Sequence, residues 1–232
     1  MKLSKALYFK GSLNQGLAEK VEALDRRHYP DSLIEILEAV LLDQTSPRGL
    51  PLLMAAINCS GVDAGEEPQA AEVLWQGLLL TAILAAGKKP SDGLAAGLSY
   101  RFDTARLLLA ADTLLTWPYE ISACSGKGQS PVASLASSAR QVLTELVSTG
   151  EGMSRLLNWN PLPVILTAGC PGKEPLELDG VPELASAFYL ADLVRWLGSP
   201  SWLAGAVSQA NKDAREKELS PRLEEVRNLL IG

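Results

Sequence analysis

The sequence predicts an all-α bundle wrapped around one buried central helix, and three observations predict it. Apolar residues recur at helical spacing along nearly the whole chain. No strand-like alternation persists, and no repeat of fixed period is present. Within "EVLWQGLLLTAILAAGKK", Val73 to Gly87 pass without a charged side chain. A helix that is apolar on every side in a globular protein sits at the centre of its core. A membrane span would need roughly 20 predominantly apolar residues with aromatic belts. Here Gln76, Gly77 and Thr81 interrupt the run and no belt flanks it.

The elements follow in order. The opening "MKLSKALYFKGSLNQGLAEK" is broken by Lys5 and Lys10 and shows no export-signal core. "DSLIEILEAVLLDQ" places Leu33, Ile36, Leu37 and Val40 on one side of a helix, with Asp31 at its start and Glu35 and Glu38 on the other side. "PLLMAAINCSG" begins with Pro51 at a helix-compatible first position and stops at Gly61. "DAGEEPQ" is expected as an acidic surface loop before the central helix, which "GKKPSDG" ends. "DTARLLLAADTLLTWPYEISAC" predicts a further apolar helix carrying Pro118. "SPVASLASSARQVLTELVSTG" predicts an amphipathic one. The proline-rich stretch after it allows only short helix, "ELASAFYLADLVRWLG" resumes, and "SPRLEEVRNLLIG" closes the chain with Ser220 before Pro221.

Composition narrows the function classes. A chain of 232 residues, 47% hydrophobic and 21% charged, fits one globular domain over 1–232. A net charge of -6 argues against nucleic acid, where a basic stripe is expected. Cys59, Cys124 and Cys170 lie too far apart for a metal knuckle or redox pair, so they read as free thiols in a reducing, cytoplasmic setting. His28 in "DRRHYPDS" has no visible catalytic partner, and the serines of "SLASSAR" have no base. Trp75, Trp159, Trp196 and Trp202 read mostly as core anchors.

Taken together, these segments resemble the trans-polyprenyl diphosphate synthases, the all-α isoprenoid synthases. "ILEAVLLDQTSPRGLPLLMAAI" is similar to that family's helix, Gly-Gly-Lys-Arg-x-Arg-Pro loop and apolar helix, with Arg48 and Pro51 on its first Arg and its Pro. "RFDTARLLLAADTLLTWPYEI" resembles the helix carrying "A-x-L-L-A-G-D-x-L-L", with Asp112, Leu114 and Leu115 in register. "ELASAFYLADLVRWLG" resembles the helix of the second aspartate-rich motif. The match covers about 34–120 and 183–198.

The departures fall on the chemistry. With Glu72 aligned to the family Glu, the five positions of the first DDxxD motif are Ala82, Ile83, Leu84, Ala85 and Ala86. In the second motif only Asp192 remains, followed by Leu193, with Trp196 at the third acidic position. Pro47 and Leu50 stand at the loop's Lys and second Arg. The family holds a diphosphate with magnesium between two facing carboxylate sets, and magnesium requires oxygen ligands. The resemblance therefore implies a chain that does not catalyse prenyl transfer by itself. It implies no cofactor of its own, magnesium belonging to a catalytic partner.

Three residues carry expectations. Arg48 is a vestigial phosphate contact by resemblance, or else a solvated loop charge. Asp192 is a vestigial ligand by resemblance, or else an ion-pair partner of Arg195 at helical reach. Asp112 is expected to be buried at an interhelical contact, in a structural role. The leading reading is a non-catalytic or regulatory subunit that packs against a catalytic polyprenyl diphosphate synthase. The alternatives are a divergent synthase using Asp92, Asp103 and Asp192, and a homodimeric pseudoenzyme holding an apolar ligand.

Overall fold

The computed structural model describes residues 5–58, 66–87, 90–123, 131–148, 152–157, 159, 161–169 and 180–231. Cys59, Cys124 and Cys170 lie outside these described residues. Among the described residues the secondary structure is helical, with no strand: α1 (Lys5–Glu22), α2 (Asp31–Leu41), α3 (Gly49–Asn58), α4 (Glu66–Ala85), α5 (Gly93–Arg101), α6 (Thr104–Ala123), α7 (Pro131–Ser148), a 3₁₀ turn at Met153–Leu157, α8 (Leu162–Gly169), α9 (Val181–Leu197), α10 (Ser201–Glu216) and α11 (Pro221–Ile231).

Helix α4 is the central element that the charge-free run predicts. Val73, Leu74, Trp75, Leu78, Leu79 and Leu80 are all at most 1% exposed. Removing one such side chain from water is worth roughly 1.5–3 kcal/mol. The helix begins earlier than the sequence suggests. Glu66 and Glu67 form its first turn rather than a surface loop, because carboxylates favour the positive end of the helix dipole. Pro68 is tolerated there, where no intrahelical N–H bond is lost. Lys20 of α1 pairs with Glu66 at 3.3 Å and ties α1 to that end.

Helix α6 packs along α4 more extensively than any other helix pair does among the described residues. Gly77 permits the approach. A Cβ on it would lie 2.9 Å from Leu114 Cβ and 3.0 Å from the Leu114 backbone. Pro118 lies inside α6, which continues to Ala123. The proline-rich stretch yields only the eight-residue α8. Helix α11 begins at Pro221, and the Glu224 N–H bonds to the Ser220 carbonyl.

Helix α9 packs against α3, α5, α8 and α10. Its end meets the start of α5 through two glycines in left-handed backbone, Gly93 (φ 76) and Gly198 (φ 71). A Cβ on Gly93 would fall 2.6 Å from the Trp196 carbonyl oxygen. Trp75, Trp159 and Trp196 are buried and Trp202 half-buried, as core anchors.

Candidate functional site

Where α4 and α9 face each other, the protein buries charge. Arg48 is fully buried and enters from the α2–α3 connection on a left-handed backbone (φ 58), an unfavourable conformation for a side chain with a Cβ. Its Nη1 donates to Glu72 Oε1 at 2.7 Å, its Nε donates to Asn14 Oδ1 at 2.9 Å, and its Nη2 donates to the Leu41 carbonyl. This corrects the expectation of a solvated loop charge. The planar guanidinium has several donors to satisfy, and the α1, α2 and α4 backbones and side chains surround it with acceptors.

Glu72 is likewise 0% exposed. Its Oε1 also accepts from Gln76 Nε2 at 2.8 Å and from Ser46 Oγ at 3.4 Å. Asp192 is 1% exposed and accepts from the indole N–H of Trp75 at 2.8 Å. Two carboxylate oxygens, Glu72 Oε2 and Asp192 Oδ1, are buried without a hydrogen-bond partner among the described residues.

The expected Asp192–Arg195 hydrogen-bonded pair does not form. Arg195 turns the other way, donating to Asp43 Oδ2 at 2.7 Å, Gln76 Oε1 at 2.9 Å and the Val40 carbonyl at 2.6 Å. Three acceptors that match its fork outweigh one carboxylate a turn away. Gln76 is the shared joint, since Trp196 also donates to its Oε1 at 3.0 Å.

Electrostatics follow from this burial. Desolvation, then the Glu72 charge, push Asp192 up to about 7, against the pull of Arg195, the Trp75 bond and Arg48. Burial works to raise Asp43, but hydrogen bonds from Thr45 and Arg195 outweigh it and hold its carboxyl below the usual range. Burial and the Arg48 charge lower Lys10, while Glu72, Asp192 and Asp43 pull it upward. The half-buried Lys10 of α1 thus belongs to the same charge cluster.

Asp112 is not part of the site and is not buried. It lies on the outer face of α6, exposed. Ala110, Ala111 and Leu114 take the face that packs inward, and a step of one or two residues carries Asp112 round the helix away from them. The expectation of an interhelical structural role is therefore corrected.

The aligned segment at 82–86 also lies elsewhere. Ala82 is seven residues past Trp75, about 10 Å farther along the helix. It is the level of Trp75 and Gln76 that meets Asp192, Arg195 and Trp196. Ile83 and Leu84 instead line an apolar cavity of about 250 Å³ with Leu98 of α5 and Leu107 of α6.

The described residues do not fit a magnesium cluster. Among the described residues no group of three or more acidic, histidine or cysteine side chains converges. The facing acids, Glu72 and Asp192, are sealed from solvent, and one oxygen of each is already occupied. Asp92 accepts from Gly93 N–H at the start of α5, and Asp103 caps α6 through the Arg106 N–H at 2.9 Å. The three-aspartate alternative therefore has no joint site. His28 is exposed and lies 3.2 Å from Asp25.

Sequence reasoning missed Glu72 and Gln76 as the hub. Two polar residues four apart on one face of an otherwise apolar helix were the available signal. No helix among the described residues is long and apolar enough to cross a membrane.

No protein-family model and no curated protein matches the chain. Among solved structures it is similar to the crystal structure of a "putative farnesyl-diphosphate synthase" from Marinomonas sp. MED121, at 14% identity, covering 98% of each chain with a TM-score of 0.53. At that identity the likeness speaks to architecture. The fold of this chain is an isoprenoid-synthase-like helical fold.

Proposed function

We propose that the chain is a non-catalytic subunit of a polyprenyl diphosphate synthase, acting by contact with a catalytic subunit. The observation that supports this reading is the closed charge network on an isoprenoid-synthase-like fold. Arg48 and Arg195, which could grip a diphosphate, are held by the chain's own Glu72 and Asp43. Arg48 also bonds to Asn14 and the Leu41 carbonyl, Arg195 to Gln76 and the Val40 carbonyl, and both side chains are buried, so neither fork is presented to a phosphate. Ionising an allylic diphosphate also needs several positive charges on the leaving group, and loss of a single such donor already slows acyl-transfer enzymes by about 100-fold or more. Magnesium, in this reading, belongs to the partner.

The test is purification with and without a complete polyprenyl diphosphate synthase from the same source. Co-elution, with a change in the partner's rate or product length, is the expected result. Separate elution with an unchanged product overturns the reading. So does magnesium-dependent diphosphate release from an allylic substrate by the chain alone.

A further inference from the structure

Gly77 lets α4 press onto Leu114 of α6, but farther along, toward Gly87, the apolar cavity of about 250 Å³ opens between α4, α5 and α6. Leu80, Ile83 and Leu84 supply its α4 wall at three- and four-residue spacing. Leu98 of α5 and Leu107 of α6 add to the lining. Of these, Leu80, Ile83, Leu98 and Leu107 are at most 3% exposed. Small residues leave the space open. Ala95 of α5 offers it one methyl group, and a Cβ on Gly87 would meet nothing within 4 Å. Two hydroxyl side chains also line it, the half-buried Ser99 and the exposed Thr104. Among the described residues no charged side chain joins them.

We infer that this cavity is a binding site for a neutral, mostly hydrocarbon molecule of roughly ten non-hydrogen atoms carrying a single hydroxyl. Size sets the first limit. An engineered cavity of about 150 Å³ lined by leucine, isoleucine and phenylalanine stays dry and takes up benzene. The cavity here is larger by about two thirds, which gives room for roughly ten such atoms. Charge sets the second limit. A carboxylate, phosphate or ammonium group would be desolvated against hydrocarbon with no counter-charge in the described lining. One hydroxyl on the ligand suits the Ser99 and Thr104 hydroxyls, each of which both donates and accepts. The site is distinct from the buried charge network. Ile83 is seven residues after Gln76, about 10 Å farther along the helix. The inference goes beyond the subunit role and does not depend on it.

The full chain is titrated with para-propylphenol, para-propyltoluene and phenylacetate, probes of about ten non-hydrogen atoms each, while NMR follows the Ile83 δ1 methyl resonance. The phenol is expected to move that resonance saturably, and phenylacetate to bind at least about tenfold more weakly. Ala95→Leu, which extends a longer side chain into the cavity, is expected to weaken both neutral probes about tenfold or more. Removing both hydroxyls, in Ser99→Ala with Thr104→Val, is expected to weaken the phenol by about two- to tenfold and to spare the toluene. An Ile83 resonance that no probe moves overturns the proposal, as does phenylacetate bound as tightly as the phenol. A folded Ala95→Leu chain that binds undiminished puts the probes elsewhere and refutes the site. A double variant that loses no more affinity for the phenol than for the toluene refutes the hydroxyl ligand. Should Ala95→Leu fail to fold, that double variant decides.

Discussion

Trp75 of α4 donates its indole N–H to Asp192 of α9 across 2.8 Å, far from water, while the second oxygen of that carboxylate has no partner among the described residues. The bond joins residues 117 positions apart. Trp75→Phe removes the donor together with the pyrrole half of a fully buried indole. It is expected to lower stability by about 1–3 kcal/mol for the buried acceptor left unmet, with the lost core packing added to that. Urea unfolding followed by circular dichroism measures it, and an unchanged midpoint would count against the bond.

Stability is expected to fall as the solution is made less acidic. Asp192 stands at about 7 in the folded chain, against 3.8 for an unperturbed aspartate. A raised folded value means that the native state holds a proton the unfolded state has released. That stabilisation is complete below about pH 4 and is lost as pH rises through 7. For one proton the slope cannot exceed about 1.4 kcal/mol per pH unit. Asp43, held low, acts below this window. Asp192→Asn is expected to flatten the profile in urea titrations between pH 4 and 8. Equal slopes for both proteins contradict the assignment.

Breaking the Arg48–Glu72 pair on one side strands the other charge in the core. Arg48→Met or Glu72→Met alone is expected to cost about 3–5 kcal/mol. The double variant is expected to recover a large part, because neither charge is then left alone. A double-mutant cycle in guanidinium gives the coupling, and strictly additive losses would refute it.

Gly77→Ala drives a methyl against Leu114, including its backbone, at the closest approach of α4 and α6. Overpacking of this kind costs typically 1–3 kcal/mol. Thermal melts of the variant are expected at lower temperature with an unchanged helical spectrum at 20 °C (about room temperature, where the fold is retained). A rise in melting temperature, as helix propensity alone would give, is the contrary outcome.

Asp112→Ala is expected to change monomer stability by no more than about 0.5 kcal/mol, as for other surface positions. A loss of several kcal/mol would place Asp112 in an interhelical contact after all.

Much of this fold is readable from residues alone, because a helix declares itself locally. The charge-free run of α4, Gly198 at the end of α9 and Pro221 at the start of α11 each act within a turn or two of sequence. The site is less readable, for a physical reason. Arg195 bonds to Asp43, 152 positions away, although Asp192 lies one turn from it. Periodicity says which face a residue occupies but not which distant acceptor meets that face. Arg48 shows the same limit. A lone loop arginine normally belongs to water, and only the acceptors gathered from α1, α2 and α4 bring it inside. Asp112 fails in the opposite direction, since apolar neighbours in sequence do not guarantee burial when half of them face outward.

Trp75 and Trp159 both stand edge-on to Tyr189, with ring centres 6.2 and 6.1 Å away. The Trp159 N–H is bonded to the Val142 carbonyl and the Tyr189 hydroxyl to the Leu156 carbonyl. This aromatic cluster touches the titrating aspartate at one end and α7 at the other. The molecule therefore contains its own optical probe. Near-ultraviolet dichroism and tryptophan emission will register protonation of the core and the docking of α7, with no dye attached.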